Sequence, residues 1–382
     1  MTLIKRQLQT VIQDRMFCGK AIILVGARQV GKSTLFGQIL GNPQLGISND
    51  QILTIYCDDA ESRRLLENAS LADLRQQLAG KRLVMVDEAQ RIQGVGLTLK
   101  LITDHFKDVQ LLVTGSSSFL LQGKLNEPLT GRKFEYHLYP LSTKELFDDG
   151  GLLRIRQTFE SRLIYGSYPD VVTGVGNPRD LLMNLSGSYM YQDLLSLEGV
   201  RKPVLLEKLL VALALQVGSE VSYSELAQTI GTDNKTVEKY VDLLEKCYIV
   251  FRLNGLSRNL RNELKKAKKL YFYDNGIRNA VIQQFAPLDM RNDVGALWEN
   301  FFISERVKHN HYTGHYCNAY FWRTKTQQEV DYIEESDGTM TAFEMKWNPK
   351  KGNIIFPKAF LEAYNVKETA VVTPDNYMDW LM

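Results

Sequence analysis

The run Gly26-Ala27-Arg28-Gln29-Val30-Gly31-Lys32-Ser33-Thr34 has the residue types and spacing to hold a chain of phosphates. Its glycines allow backbone angles that let successive N–H groups curl around an anion. The Lys32 ammonium has the reach to meet the β- and γ-phosphates, and the Ser33 hydroxyl is placed to ligate Mg²⁺. The motif counts only in its context, a strand before and a helix after. Both are present: Ala21-Ile22-Ile23-Leu24-Val25 is an apolar run, and Leu35 to Leu40 reads as a helix. The sequence therefore predicts binding of ATP or GTP with Mg²⁺.

A second strand supplies acids. Arg82-Leu83-Val84-Met85-Val86-Asp87-Glu88 is apolar until it ends in two carboxylates, and the carboxyl ends of parallel strands face the ligand crevice. Asp87 would hold the magnesium shell and Glu88 would polarise the attacking water. The strand Val109 to Val113 ends in Thr114-Gly115-Ser116-Ser117-Ser118. Thr114 or Ser116 would contact the γ-phosphate or the lytic water, with Thr114 taken as the candidate. Arg132, before a fifth strand at Phe134 to Leu138, is a candidate to stabilise charge on a neighbouring subunit's nucleotide, which implies a homo-oligomer. Asp58-Asp59 reads as structural or a helix cap, with contact near the nucleotide as the alternative.

The C-terminal part carries another constellation. Glu329-Val330-Asp331-Tyr332-Ile333 and Ala342-Phe343-Glu344-Met345-Lys346-Trp347 read as strands joined through the turn Ser336-Asp337-Gly338-Thr339. Glu344 and Lys346 share one face of their strand, because strand side chains alternate. With Asp331 beside them, and Glu299 on the helix that begins near Gly295, they form a candidate nuclease-like site for a second Mg²⁺ or Mn²⁺. The alternative is a hairpin with alternating surface charges. His309, His311, His315 and Cys317 form a dense cluster that reads as an exposed connection rather than a metal site.

Between these sites the pattern is that of a winged helix. Pro203 to Val217, the capped Ser222 to Gly231 and Lys235 to Cys247 read as three helices, followed by a strand at Tyr248 to Leu253. The third helix would present Asn234, Lys235, Thr236 and Lys239 to a DNA groove. A basic segment with Arg258, Arg261, Lys265, Lys266, Lys268 and Lys269 would follow a phosphate backbone. Many winged helices make protein contacts instead, and many charge runs are only solvated.

These motifs need an α/β frame: a doubly wound parallel sheet, then a helical region, a winged helix and a small α/β unit. The boundaries are drawn at 1–146, 147–202, 203–280 and 290–382. A chain of 382 residues exceeds the size at which a single core stops growing. With 46 basic against 44 acidic residues, the net charge is +2, so any nucleic-acid footprint must be local. Four scattered cysteines lack zinc or redox spacing and suit a reducing cytoplasm. No apolar run approaches the ~20 residues a membrane span requires, so no membrane partner is expected.

Taken together, the chain resembles a family of bacterial and archaeal AAA-type ATPases of largely unassigned function. The resemblance rests on Gly26 to Thr34, Val86 to Ile92, Thr114 to Ser118, Gly131-Arg132, Pro140-Leu141-Ser142 and Gly166-Ser167-Tyr168-Pro169. It continues through Gly295 to Glu305, Phe321-Trp322-Arg323, Glu329-Val330-Asp331 and Phe343 to Lys346. It implies an ATPase core with Lys32, Ser33, Asp87 and Glu88 in matching positions, then a winged helix and a restriction-endonuclease-like terminal fold. Such terminal folds also serve as inactive binding platforms.

Overall fold

A computed structural model describes residues 3–115, 128–189, 202–257, 268–348 and 355–382. Strands β1 (Ala21–Val25), β2 (Ile52–Tyr56), β3 (Leu83–Asp87), β4 (Gln110–Gly115) and β5 (Lys133–His137) form one sheet in the order β2-β3-β4-β1-β5. Every pairing in it is parallel. Helix α1 (Leu8–Arg15) precedes the first strand. Parallel strands need crossovers, and helices α2 (Lys32–Leu40), α3 (Ala60–Arg64), α4 (Leu71–Gln77) and α5 (Val95–His105) supply them. Because helices cover the sheet, β1 is buried at all five positions, as its unbroken apolar run requires. Inserting β4 between β1 and β3 brings the ends of three strands into one row. This is the mixed α/β architecture with a central parallel sheet that the sequence predicts.

A capping box between Ser142 and Glu145 starts α6 (Thr143–Tyr165), which breaks at Gly151 (φ 65°). The short α7 (Pro169–Val172) and α8 (Pro178–Asn184) follow. Next come α9 (Pro203–Leu215), β6 (Glu220–Val221), α10 (Tyr223–Ile230), α11 (Asn234–Lys246), β7 (Val250–Gly255) and β8 (Lys268–Phe272). Gly231 closes α10 in the left-handed conformation, and the Asp233 carboxylate accepts the Thr236 N–H to open α11. These devices set a tight turn between the two helices.

The terminal part holds α12 (Asn275–Val281), α13 (Val294–Thr313), β9 (Asn318–Arg323), β10 (Glu329–Ser336), β11 (Thr339–Met345), α14 (Lys358–Ala363) and β12 (Val366–Val372). Seven strands run in the order β12-β11-β10-β9-β7-β8-β6. The spans drawn at 203–280 and 290–382 thus share one sheet, joined where β7 and β9 pair in parallel through Asn254–Tyr320 and Gly255–Phe321. A single buried cluster runs from Ile4 through β1 to Trp298 and Leu381, so the parts pack on one another. Among the described residues no helix is long and apolar enough to cross a membrane.

Candidate functional sites

The loop between β1 and α2 is shaped by what glycine permits. A Cβ on Gly26 would lie 2.2 Å from the Leu138 carbonyl oxygen, so the loop approaches the end of β5 only without a side chain there. Gly31, at φ 92°, is left-handed and caps α2. Lys32 is 5% exposed and donates to the carbonyls of Gly26 (3.1 Å) and Ala27 (2.9 Å). Its ammonium is thus held inside the loop by neutral acceptors.

Across the cleft, Ser33 Oγ lies 2.9 Å from both carboxylate oxygens of Asp87. Thr114 donates to Asp87 and accepts the Glu88 N–H at 3.0 Å. Thr114, fully buried at the end of β4, therefore fixes the two acids relative to each other. Glu88 has φ 55° and ψ 44°, a left-handed conformation that costs a side-chain-bearing residue energy and recurs at functional sites. Gln90 donates to its carboxylate. Behind Asp87, burial and then the Asp87 charge push the Cys57 thiol up to about 12, leaving it an inert packed group. A cleft of about 330 Å³ is lined by Arg28, Gln29, Lys32, Ser33, Asp87 and Glu88, among others. It adjoins a more apolar pocket of about 150 Å³ lined by Ile4, Leu35, Leu141 and Pro169, with Gly31 and Thr34 common to both.

Arg6 was not singled out in the sequence, where a lone N-terminal arginine gives no signal. It is 5% exposed and donates to the carbonyls of Val30 (2.6 Å) and Tyr139 (2.6 Å) and to Glu145 (2.9 Å). It therefore pins the phosphate loop to the start of α6. Asp59 is the expected cap, accepting the Ser62 N–H. Asp58 instead pairs with Arg91 at 2.9 Å on the rim of the cleft. Arg132 precedes β5, level with Ala21 at the start of β1, so it lies at the end of the sheet away from its own phosphate loop. Asp104 holds it at 2.6 Å. Ser116 lies outside the described residues.

The structure brings the four C-terminal candidates together. Asp331 reaches from β10 to accept the Met345 N–H at 2.9 Å, and Lys346 donates to Glu344 at 2.7 Å. Glu299, on α13, accepts from Tyr271 (2.6 Å) and Lys269 (3.2 Å) of β8. Lys269 also pairs with Glu329 at 2.6 Å. Burial pushes Glu299 up to about 7: Lys269 opposes that rise, and the nearby Asp331 adds to it. Asp331 and Glu344 are also raised, in each case by burial first. Lys269 corrects one expectation: at 2% exposure it faces carboxylates rather than solvent, so it cannot follow a phosphate backbone. The period-two spacing of Lys269 and Tyr271 was the available signal, since both face Glu299.

Of the other basic candidates, Lys235 and Lys239 are exposed near the start of α11. Lys268 lies over the Tyr223 ring at 4.9 Å. Arg258, Arg261, Lys265 and Lys266 lie outside the described residues. In the histidine cluster, His309 and His311 belong to α13, and His311 packs edge-on against His137 at 5.1 Å. His315, Cys317 and Glu334 do present ligand atoms within 4.8 Å of one another. However, both Glu334 oxygens are taken by the Arg306 guanidinium, at 2.9 and 2.8 Å.

Residues 19–147 match the family model described as an AAA domain. Residues 156–288 and 294–379 match two domains of unknown function, DUF8612 and DUF4143. Among curated proteins, an uncharacterized protein of Haemophilus influenzae is 27% identical over 68% of this chain and 68% of its own length. An uncharacterized protein of Mycobacterium tuberculosis is 27% identical over 85% of this chain and 70% of its own length. Among solved structures, a Walker-type ATPase of Pyrococcus abyssi is 16% identical, with a TM-score of 0.49, over 73% of this chain and 96% of that one. The replication initiator DnaA bound to AMPPCP and single-stranded DNA is 17% identical, with a TM-score of 0.33, over 63% of this chain and 86% of that one. The matched span coincides with the parallel sheet and its phosphate loop, so the N-terminal part is similar to AAA domains.

Proposed function

We propose that the chain binds and hydrolyses ATP in the cleft between β1, β3 and β4, and that nucleotide state acts on a DNA-directed C-terminal half. The convergence of Lys32, Ser33, Asp87, Glu88 and Thr114 at one end of the sheet carries the hydrolytic reading. Phosphates would lie in the larger cleft and draw Lys32 off its carbonyls, while the base would enter the apolar pocket beside Gly31. The hydroxyl and carboxylate of Ser33 and Asp87 are oxygen donors of the kind Mg²⁺ selects, and they would hold it. When bound, that ion neutralises charge on the phosphates. Glu88 would orient and polarise water, with Thr114 keeping it in register with Asp87. Arg132, remote from its own loop, would serve a neighbouring subunit's nucleotide.

Coupling has a physical route. Arg6 ties the phosphate loop to Tyr139 and Glu145, the Tyr139 N–H donates to Tyr312, and the Thr143 N–H donates to Glu305. Tyr312 and Glu305 lie on α13, the helix that carries Glu299. The order of α9, β6, α10, α11, β7 and β8, with β8 pairing both β6 and β7, supports a winged helix. The gathering of Glu299, Asp331, Glu344 and Lys346 supports a restriction-endonuclease-like terminal unit, active on DNA or serving as a binding platform. DNA binding measured over several salt concentrations, with and without ATP, tests this reading. Lys235→Glu and Lys239→Glu should each weaken binding and lower its salt slope by about 1. Unchanged affinity would move the winged helix to protein contacts.

A further inference from the structure

The C-terminal cluster holds four carboxylates, Glu299, Glu329, Asp331 and Glu344, against two lysines and, at its edge, Arg323, 3.6 Å from Glu329. The lysines differ in kind. The Lys346 side chain is 38% exposed and leans on Glu344. Lys269 is 2% exposed and enters from β8, on the far side of the β7–β9 junction. An ammonium is strongly hydrated, and burying it is costly unless carboxylates replace the lost water. Lys269 meets that condition with Glu299 at 3.2 Å and Glu329 at 2.6 Å, while the Phe321 ring covers it at 5.4 Å.

The same contacts remove what a divalent ion would need. One Glu299 oxygen, Oε1, already accepts both Tyr271 and Lys269. Asp331 gives one oxygen to the Met345 N–H. Among the described residues, the set of three potential ligands whose atoms fall within 4.8 Å of one another is elsewhere, at His315, Cys317 and Glu334. A cation placed on Glu299 and Asp331 would also face the buried charge of Lys269 at short range, where repulsion is strong. The donors present therefore do not fit a standing Mg²⁺ or Mn²⁺ site.

We propose that Lys269 is the resident cation of this cluster, and that a divalent metal enters only when Lys269 leaves the carboxylates. The inference rests on the restriction-endonuclease-like reading of the terminal unit and specifies its regulation. β8 belongs to the winged-helix portion, so access to the acids depends on where that strand sits. The cluster is closed in the arrangement described above.

The test is Mn²⁺ uptake by the full-length, nucleotide-free chain, counted by equilibrium dialysis with paramagnetic resonance. Lys269→Met should gain a bound Mn²⁺ with affinity at least about tenfold above the parent, because a facing positive charge is gone. Lys269→Arg keeps the charge and should stay at the parent level. Adding Asp331→Asn to Lys269→Met should abolish the gain. Failure of Lys269→Met to take up Mn²⁺ overturns the inference. If that variant does not fold, Asp331→Asn alone decides: the parent's Mn²⁺ uptake should be unaffected, and a lost ion overturns the inference. DNA cleavage by the Mn²⁺-loaded Lys269→Met chain tests the nuclease reading separately. Metal uptake without cleavage keeps the resident cation and removes the nuclease.

Discussion

Two buried lysines, Lys32 in the N-terminal cleft and Lys269 in the C-terminal cluster, show how partner chemistry decides what a cation is available to do. They are 5% and 2% exposed, so burial does not separate them. Lys32 is held by two neutral carbonyls, each worth about 1 kcal/mol net, and an arriving phosphate offers a full negative charge in exchange. Lys269 is held by two carboxylates, and separating a buried pair exposes both charges to a medium that solvates them poorly. The first lysine is poised to be recruited. The second is already spent on its neighbours.

The largest effect should come from the N-terminal cleft, where chemistry rather than stability is at stake. Glu88→Gln keeps the size and most hydrogen bonds of the side chain but cannot take up a proton. Turnover should fall by about 10²–10⁴, the range that general-base catalysis supplies, while nucleotide affinity stays near the parent value. Single-turnover ATP hydrolysis beside a fluorescent-nucleotide titration reads both. Equal turnover in the two chains would take Glu88 out of the chemistry and leave its left-handed backbone without a role.

The comparison sharpens when stability is measured at both lysines. Glu299→Ala removes a partner of Lys269 and also strands the Tyr271 hydroxyl, which is fully buried. It should cost about 3 kcal/mol in denaturant unfolding, the scale of a broken buried pair. Lys32→Met removes the ammonium from the Gly26 and Ala27 carbonyls, and should cost about 2 kcal/mol, about 1 per bond. Equal losses at the two sites would mean that burial, not partner type, governs both lysines.

These differences also explain what the sequence made legible. The phosphate loop is contiguous and glycine-bound, so its spacing carries its geometry, and the apolar run before Asp87 announces a strand end. Glu299, Asp331, Glu344 and Lys346 were legible as a group because alternation and helix position confine them to one face. Lys269 was misread for a physical reason: a lysine beside other lysines looks the same in sequence whether it is solvated or buried against acids. Only pairing β8 with β7 and packing α13 beneath it reveals which. Arg6 was invisible because its partners are 24 to 139 residues away and two of them are backbone carbonyls, which no side-chain pattern marks. The shared seven-stranded sheet was hidden likewise, since β8, α12 and α13 lie between β7 and β9 in the chain.

The smallest predicted effect extends the comparison to two acids on one helix. Asp293 occupies the N-cap position of α13 without a side-chain capping bond, six positions before Glu299. Burial pushes its carboxyl up, but hydrogen bonds from Arg291 (2.8 Å) and Arg278 (2.6 Å) outweigh that and bring it down to about 2. Glu299, whose burial outweighs the pull of Lys269, goes the other way to about 7. A carboxyl depressed from 3.8 to about 2 contributes about 2 kcal/mol of folding stability at neutral pH, at 1.36 kcal/mol per unit. The sign follows from proton binding: above about pH 6 both folded and unfolded chains are ionised and the contribution is complete. As pH falls toward 2 the unfolded chain takes up its proton first and the contribution drains away. Asp293→Asn should therefore be less stable than the parent by up to about 2 kcal/mol at pH 7, and the gap should narrow progressively between about pH 5 and about pH 2. Urea unfolding of both chains across that range reads the difference. A gap that stays constant down to pH 2 would mean that the two arginines hold Asp293 through shape alone, and that cation count does not set the acids of α13.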